Sequence, residues 1–406
     1  MKRLKTLGGF LLSCETKSCT SGWNFLNFGK LVNEIEIFMN KVALIGGKIY
    51  SGDAIFEQNA LLISEGKIDG IVHDHEIPSD YVSYPVNGAN ICAGLIDLQL
   101  YGDGSDLYSA ERSVASLERI TEGLVRKGTT SFMMTLATNT ISVFKDAIRV
   151  AEGFQHDAFL GLHLEGPFLN PKKRGAHPAD LIVRPTKEKI DDLLAGNQVV
   201  KMMTIAPECI ADDVLQHLQG YNLLLSAGHS DATFEEGTRG YDLGIPTSTH
   251  LFNAMSPLHH REVGLVGAIF NHPTAQASII VDGHHVSFEA VKIAKRQMGD
   301  RLFMITDAVA ACDKDIYHHV LNDGYYALPD GTISGAAISL LEGVKNAVQK
   351  VGIPLDEAIR MATLYPANLL KRVDIGNLNK GSMANVIVFN DDFKLEQVIF
   401  KGELKF

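Results

Sequence analysis

One carboxylate in this chain stands where a charge is costly. The stretch Gly161-Leu162-His163-Leu164-Glu165-Gly166-Pro167-Phe168 continues an apolar run begun at Phe159 and Leu160, ends it on Glu165, and stops it with a Gly-Pro turn. An acid at the tip of a buried strand needs a metal, a proton or a partner to offset its desolvation. Three further strand-like runs also finish in titratable residues: LLLSAGHS near His229, TSTHLFNAM at His250, and LFMITDA at Asp307. One glutamate, two histidines and a separate aspartate are the inventory of a catalytic metal site with a general base. Two neutral imidazoles and one carboxylate leave a coordination position open for water, which suits hydrolytic zinc; iron, cobalt and manganese also accept such ligands.

Such residues must be brought together by the elements around them. From about residue 91 to 372 the chain alternates strand-like segments (ICAGLIDLQ, TTSFMMTLA, FLGLHLEG, VKMMTIAPE, LLLSAGHS, TSTHLFNAM, ASIIVDGH, LFMITDAV) with amphipathic stretches such as VASLERITEGLVRKG and FEAVKIAKRQMG. Eight strands at this spacing with helices between them predict an α/β fold, a (β/α)8 TIM-like barrel, in which strand ends distant in sequence converge on one face. A doubly wound open sheet is the alternative. Against it, no GxGxxG follows the first strand and the polar residues are spread over most strand ends. Short β patterns at 42–86 and again in ANVIVFNDDFKLEQVIFKGELKF predict a small β-sandwich domain assembled from both chain ends. The expected division is an atypical N-terminal extension over 1–38, a small β domain from 39–90 and 374–406, and a metal-dependent hydrolase barrel over 91–373.

Composition narrows the class. The chain has 406 residues, 46% hydrophobic and 21% charged, with a net charge of −11. Without a Lys- or Arg-rich run, that balance argues against nucleic acid as a partner. The five cysteines form no CxxC pair, so neither a disulfide framework nor a cysteine metal site is expected, and a reduced, cytoplasmic setting fits. Met1 to Cys14 has a basic start and ends in Leu-Leu-Ser-Cys, superficially like a lipoprotein signal, but its apolar run is short and broken by Gly8 and Gly9. No other segment reads as a membrane span. His259-His260, His318-His319, Lys187 to Lys189 and Asp191-Asp192 read as solvated surface, and Asp97, inside an apolar run, as structural.

HLEGPF, SAGHSDAT, THLFNAM, REVGLVGAI, VDGHHV, MITDA and MATLYPANLL, taken together, resemble the N-acetylglucosamine-6-phosphate deacetylases, a family of the amidohydrolase superfamily, from about Val42 to the chain end. That resemblance implies a metal held by Glu165, His229 and His250, with Asp307 as general acid/base. It further implies substrate contacts at Ala176 and His177, at Asn253 and Ala254, at Asp282, Gly283, His284 and His285, and at Ile333, Ser334 and Gly335. Arg261 resembles an arginine that reaches the phosphate of a neighbouring subunit's substrate, which implies a homodimer. Many amidohydrolases carry His-x-His in the first barrel strand and bind a second metal with it. Here GLIDLQLYG offers Gln99 and Tyr101, both weak ligands, so one ion is expected, with Gln99 lining the site. The galactosamine epimer as substrate, a cyclic amidase, or a catalytically silent barrel serving as a binding protein are the competing readings.

Overall fold

The computed structural model describes residues 41–314 and 316–405; the expectation for residues 1–38 lies outside them. The small domain is built from two sheets. One holds Lys67–His73, Asn59–Ser64, Val42–Ile45 and Val82–Pro85; the other runs Glu403–Leu404, Leu395–Phe400, Val386–Phe389, Asn90–Ala93, Lys48–Ser51, Ala54–Phe56. Chain ends meet inside the second sheet, where Val386–Phe389 pairs antiparallel with Asn90–Ala93. Between the sheets Val42, Leu44, Leu61, Ile91, Val386 and Ile399 are fully buried. At the Asn-Asp-Asp turn, Asn390 Oδ1 accepts from the backbone N–H groups of Asp392 and Lys394, a side-chain bond that closes the hairpin.

The barrel's eight parallel strands stand side by side in chain order: Leu95–Leu100, Thr129–Ala137, Phe159–Glu165, Val200–Ile205, Leu224–Ala227, Thr247–Ser248, Gln276–Ile280 and Leu302–Ile305. Most strands are shorter than the sequence reading has them, and two boundaries depart furthest. ICAGLIDLQ is two strands, because Asn90–Ala93 pairs in the small domain and the chain crosses into the barrel at Gly94, where an added Cβ would strike the Thr130 side chain. TSTHLFNAM gives only a two-residue strand, since His250, Phe252 and Ala254 all take positive φ and turn the chain away. Between strands the helices start where sequence allows a cap: Ser113 and Thr140 each accept a backbone N–H three residues on.

First and last strands close the ring at the mouth. Asp307 N–H donates to Gln99 O at 2.9 Å, Tyr101 N–H to Ala308 O at 2.8 Å, and buried Asp97 accepts from Thr306 Oγ1 at 2.5 Å. Within the third strand, His163 and Glu165 lie two apart and so share the inward face. Below Glu165, His163 Nε2 meets Thr204 Oγ1 at 2.7 Å, and hydroxyl contacts continue through Thr249 to Ser226. Burial pushes His163 down to about 4, so this layer is neutral and fully hydrogen-bonded, a firm floor for the charges above it. The segment Ala310–Thr332, which follows the last barrel strand, contains strands Val320–Asn322 and Tyr325–Ala327, which pair antiparallel with each other and then with Ile333–Ala336. Among the described residues no helix is long and apolar enough to cross a membrane.

Candidate active site

Four strand ends deliver the four residues to one buried spot. Glu165 Oε1 lies 3.0 Å from His250 Nε2 and 3.3 Å from His229 Nε2, and the two imidazole nitrogens are 3.1 Å apart. Glu165, His229 and His250 are 2%, 5% and 5% exposed, so water screens little of their interaction. Asp307 faces the same space from the eighth strand, its Oδ1 2.8 Å from Gln99 Nε2 and its Oδ2 3.9 Å from His285 Nε2. His229, His250 and Asp307 have φ of 47°, 33° and 57°, a left-handed conformation that costs an L residue energy and persists where surrounding structure imposes it.

The donor set fits a cation. His229 Nδ1 lies 3.0 Å from the Lys173 carbonyl, which only accepts, so Nδ1 carries the proton and the Nε2 lone pair faces Glu165. One ligand atom from each of Glu165, His229 and His250 falls within 4.8 Å of the others. His250 Nδ1 is buried without a hydrogen-bond partner, so that one residue carries both an unmet polar atom and a strained backbone. Such costs collect at functional sites.

Charge follows from these contacts. Burial opposes ionisation of Glu165, but His229, His177 and His250 together hold its carboxyl well below the usual range. Burial, with His177 next, pushes His229 down to about 4. His250 moves the other way: burial lowers it, but its hydrogen bond to Glu165 and the charges of Glu165 and Asp307 prevail and raise it. The two imidazoles therefore differ, and a proton shared between His250 and Glu165 must leave when a cation takes its place. Asp307 is raised by burial and by the Glu165 charge, against the lowering effect of His250 and His285. A carboxyl so raised holds a proton more tightly than a free carboxylate does, as a group that takes and returns one must.

Around this centre a cavity is lined by Ala176, His177, Asn253, Ala254, His285, Ile333 and Ser334. Thr138 N–H donates to His177 Nδ1 at 3.1 Å, which leaves Nε2 as the protonated nitrogen; it stands 3.1 Å from Glu165 Oε2. Asp282 does not line the cavity but aims a residue that does: its Oδ2 is 2.6 Å from His285 Nδ1, and its Oδ1 accepts the N–H groups of His284 and His285. Gly283 lies against the Phe288 ring, 2.7 Å from where a Cβ would sit, and His284 packs on Tyr325 away from the cavity. Gly335 lies beneath the wall, where a Cβ would meet Val309 at 2.5 Å and the Asp307 carbonyl at 3.1 Å. Arg261 is exposed on its loop and does not reach the cavity within one chain.

Sequence reading missed two contributors. Tyr317 and His319 form part of the cavity wall; Tyr317 Oη donates to the Thr138 carbonyl and His319 Nδ1 meets Ser334 Oγ at 2.8 Å. Their local pattern carries no signal of this, because a hairpin folds them back over the mouth. Tyr101, a weak metal ligand by type, donates from Oη to Glu165 Oε2 at 2.5 Å.

This geometry has counterparts among known proteins. Residues 90–405 match the Amidohydrolase family and residues 42–91 the NagA composite domain. The chain is 34% identical over 382 residues to the N-acetylglucosamine-6-phosphate deacetylase of Haemophilus influenzae, covering 90% of this chain and 99% of that one. It is 29% identical over 372 residues to the N-acetylgalactosamine-6-phosphate deacetylase of Shewanella, covering 88% and 94%. The crystal structure of the N-acetylglucosamine-6-phosphate deacetylase from Pasteurella multocida superposes with a TM-score of 0.84 at 34% identity, covering 90% and 99%.

Proposed function

The chain belongs to the amidohydrolase family, and on that premise we propose that it hydrolyses the acetamide of N-acetylglucosamine 6-phosphate to glucosamine 6-phosphate and acetate, in amino-sugar catabolism in the cytoplasm. The observation that carries this is the meeting of Glu165, His229 and His250 around one point with Asp307 facing it. We assign the chemistry to the barrel, residues 91–373, with the β domain of 39–90 and 374–406 as its support. Glu165, His229 and His250 hold one divalent ion per subunit, zinc by donor preference, with iron, cobalt and manganese as rivals. Such an ion supplies Lewis-acid polarisation of the acyl carbonyl and acidifies water.

The chain's own groups do the rest. Asp307 removes a proton from the attacking water as its oxygen bonds to the acyl carbon. The C–N bond then breaks, and Asp307 passes that proton to the departing nitrogen, so the amine leaves protonated. His177, its Nε2 protonated because Thr138 occupies Nδ1, exchanges its contact with Glu165 Oε2 for the carbonyl oxygen as negative charge gathers there. Backbone N–H at the Asn253-Ala254 turn and the Asn253 amide receive the phosphate, and His285, held by Asp282, contacts the sugar. Ile333 and Ser334 face its other side, with Gly335 beneath them. Arg261, exposed in one chain, reaches the phosphate bound by a second, so the working unit is a homodimer; nucleic acid and membrane have no part in it.

The galactosamine epimer is the second reading, supported by the Shewanella relative. Acetate release from both phosphorylated epimers, run with elemental analysis of the purified protein, tests the proposal. Faster turnover of the gluco sugar with one divalent ion per chain is expected. Faster turnover of the galacto sugar moves the assignment to the second reading, and no release from either defeats both.

A further inference from the structure

Glu165 has two oxygens, and the structure treats them differently. Oε1 faces the Nε2 atoms of His250 and His229 at 3.0 and 3.3 Å. Oε2 is turned to two donors, Tyr101 Oη at 2.5 Å and His177 Nε2 at 3.1 Å. Both are fixed in that sense. His177 must donate from Nε2 because Thr138 N–H occupies Nδ1, and Gln99 Nε2, 2.9 Å from Tyr101 Oη, cannot accept, so the hydroxyl proton goes to Glu165. Gln99 Nε2 is also 2.9 Å from Glu165 Oε1 and 2.8 Å from Asp307 Oδ1, so one amide spans the ligand and the acid/base. Neither side chain has room to leave. Tyr101 is tied through its N–H to Ala308 O and packs against Leu107, Val309 and Ala310, while Gln99 is 1% exposed.

We propose that Tyr101 is a positioning residue that, beside His177, closes Oε2, while Gln99 links Oε1 to Asp307, so that Glu165 is presented to a single cation through Oε1 at a fixed distance from Asp307. The inference rests on the deacetylase reading for the ion it concerns, and it goes further in giving a job to residues outside the ligand set. A carboxylate denied its tyrosine donor rotates until both oxygens reach the cation, which alters the ligand field and the angle at which Asp307 faces the site.

The test compares wild type and Tyr101→Phe as full-length, cobalt-loaded protein. The variant is expected to shift the visible cobalt spectrum, to lose its ion to a chelator about tenfold more readily, and to drop kcat about tenfold with KM within about twofold. Thermal melting of the metal-free proteins checks that Tyr101→Phe folds; if it does not, Gln99→Met, of similar length, carries the test with the same expected direction. A variant whose spectrum and ion retention match wild type overturns the role given to Tyr101. A wild type that takes up no ion overturns the function on which the inference rests and is told apart by the wild-type control alone.

Discussion

Left-handed backbone occurs in both parts of this molecule and serves opposite ends. In the small β domain it sits at Gln58, Glu65, Asn87 and Lys401, all exposed, where it closes tight turns between strands. At the barrel mouth it sits at His229, His250 and Asp307, all buried, where it ends a strand and swings a titratable side chain inward. The first use costs little, because water satisfies whatever the turn leaves open. The second adds strain to desolvated charge, and His250 adds an unpartnered Nδ1. The β domain is therefore built for stability, with a dry interior of Val42, Leu61, Val386 and Ile399. The mouth gives up stability to hold its groups in place.

Four substitutions press on that difference. Asp307→Asn is expected to lower kcat about 10³-fold while keeping the ion and the substrate, seen by steady-state kinetics beside metal analysis and a binding isotherm; near-normal turnover would erase the special standing of the mouth. In the other region, Ile399→Ala should cost about 3 kcal/mol in chemical denaturation and leave KM untouched. A changed KM there would mean the two parts are not separable.

Asp97 offers a milder effect at the seam below the mouth. Burial raises its carboxyl to about 7, over the lowering bonds from Thr306 and Gln99. With the folded value above the unfolded one of about 3.9, the folded state keeps its proton longer, so stability is full at low pH and declines as pH climbs through about 7. Asp97→Asn should remove about 2 kcal/mol of that decline between about pH 5 and 8, read from denaturation midpoints; parallel curves for both proteins would count against it. The smallest effect is the most pointed. Ala254→Gly, which relieves a positive φ of 49° without removing a polar contact, should stabilise the metal-free protein by about 1 kcal/mol with metal uptake unchanged. A loss of metal-free stability would show that strain at the mouth is not a cost.

How far the sequence revealed this depends on where periodicity held. TTSFMMTLA is read to the residue as Thr129–Ala137, and HLEGPF places Glu165 on the inward face because alternation continues to its last residue. TSTHLFNAM is overextended because the positive φ at His250 cannot be seen in side-chain pattern. ICAGLIDLQ merges strands of two domains, since both halves are equally apolar and only Gly94 marks the crossing. Glu165, His229, His250 and Asp307 were legible as a set because a barrel gathers strand ends. Tyr317 and His319 were not, because a hairpin after the last strand brings them in through pairings that no local residue pattern encodes.

The central claim is that one acid and two imidazoles share a cation beside Asp307, and anomalous X-ray scattering at the metal edge from crystals of the active protein tests it most directly. The account predicts a single peak within bonding distance of Glu165 Oε1, His229 Nε2 and His250 Nε2, about 2.0–2.2 Å from each if the ion is zinc. A peak held by other side chains, or an active protein with no peak at that point, would contradict it.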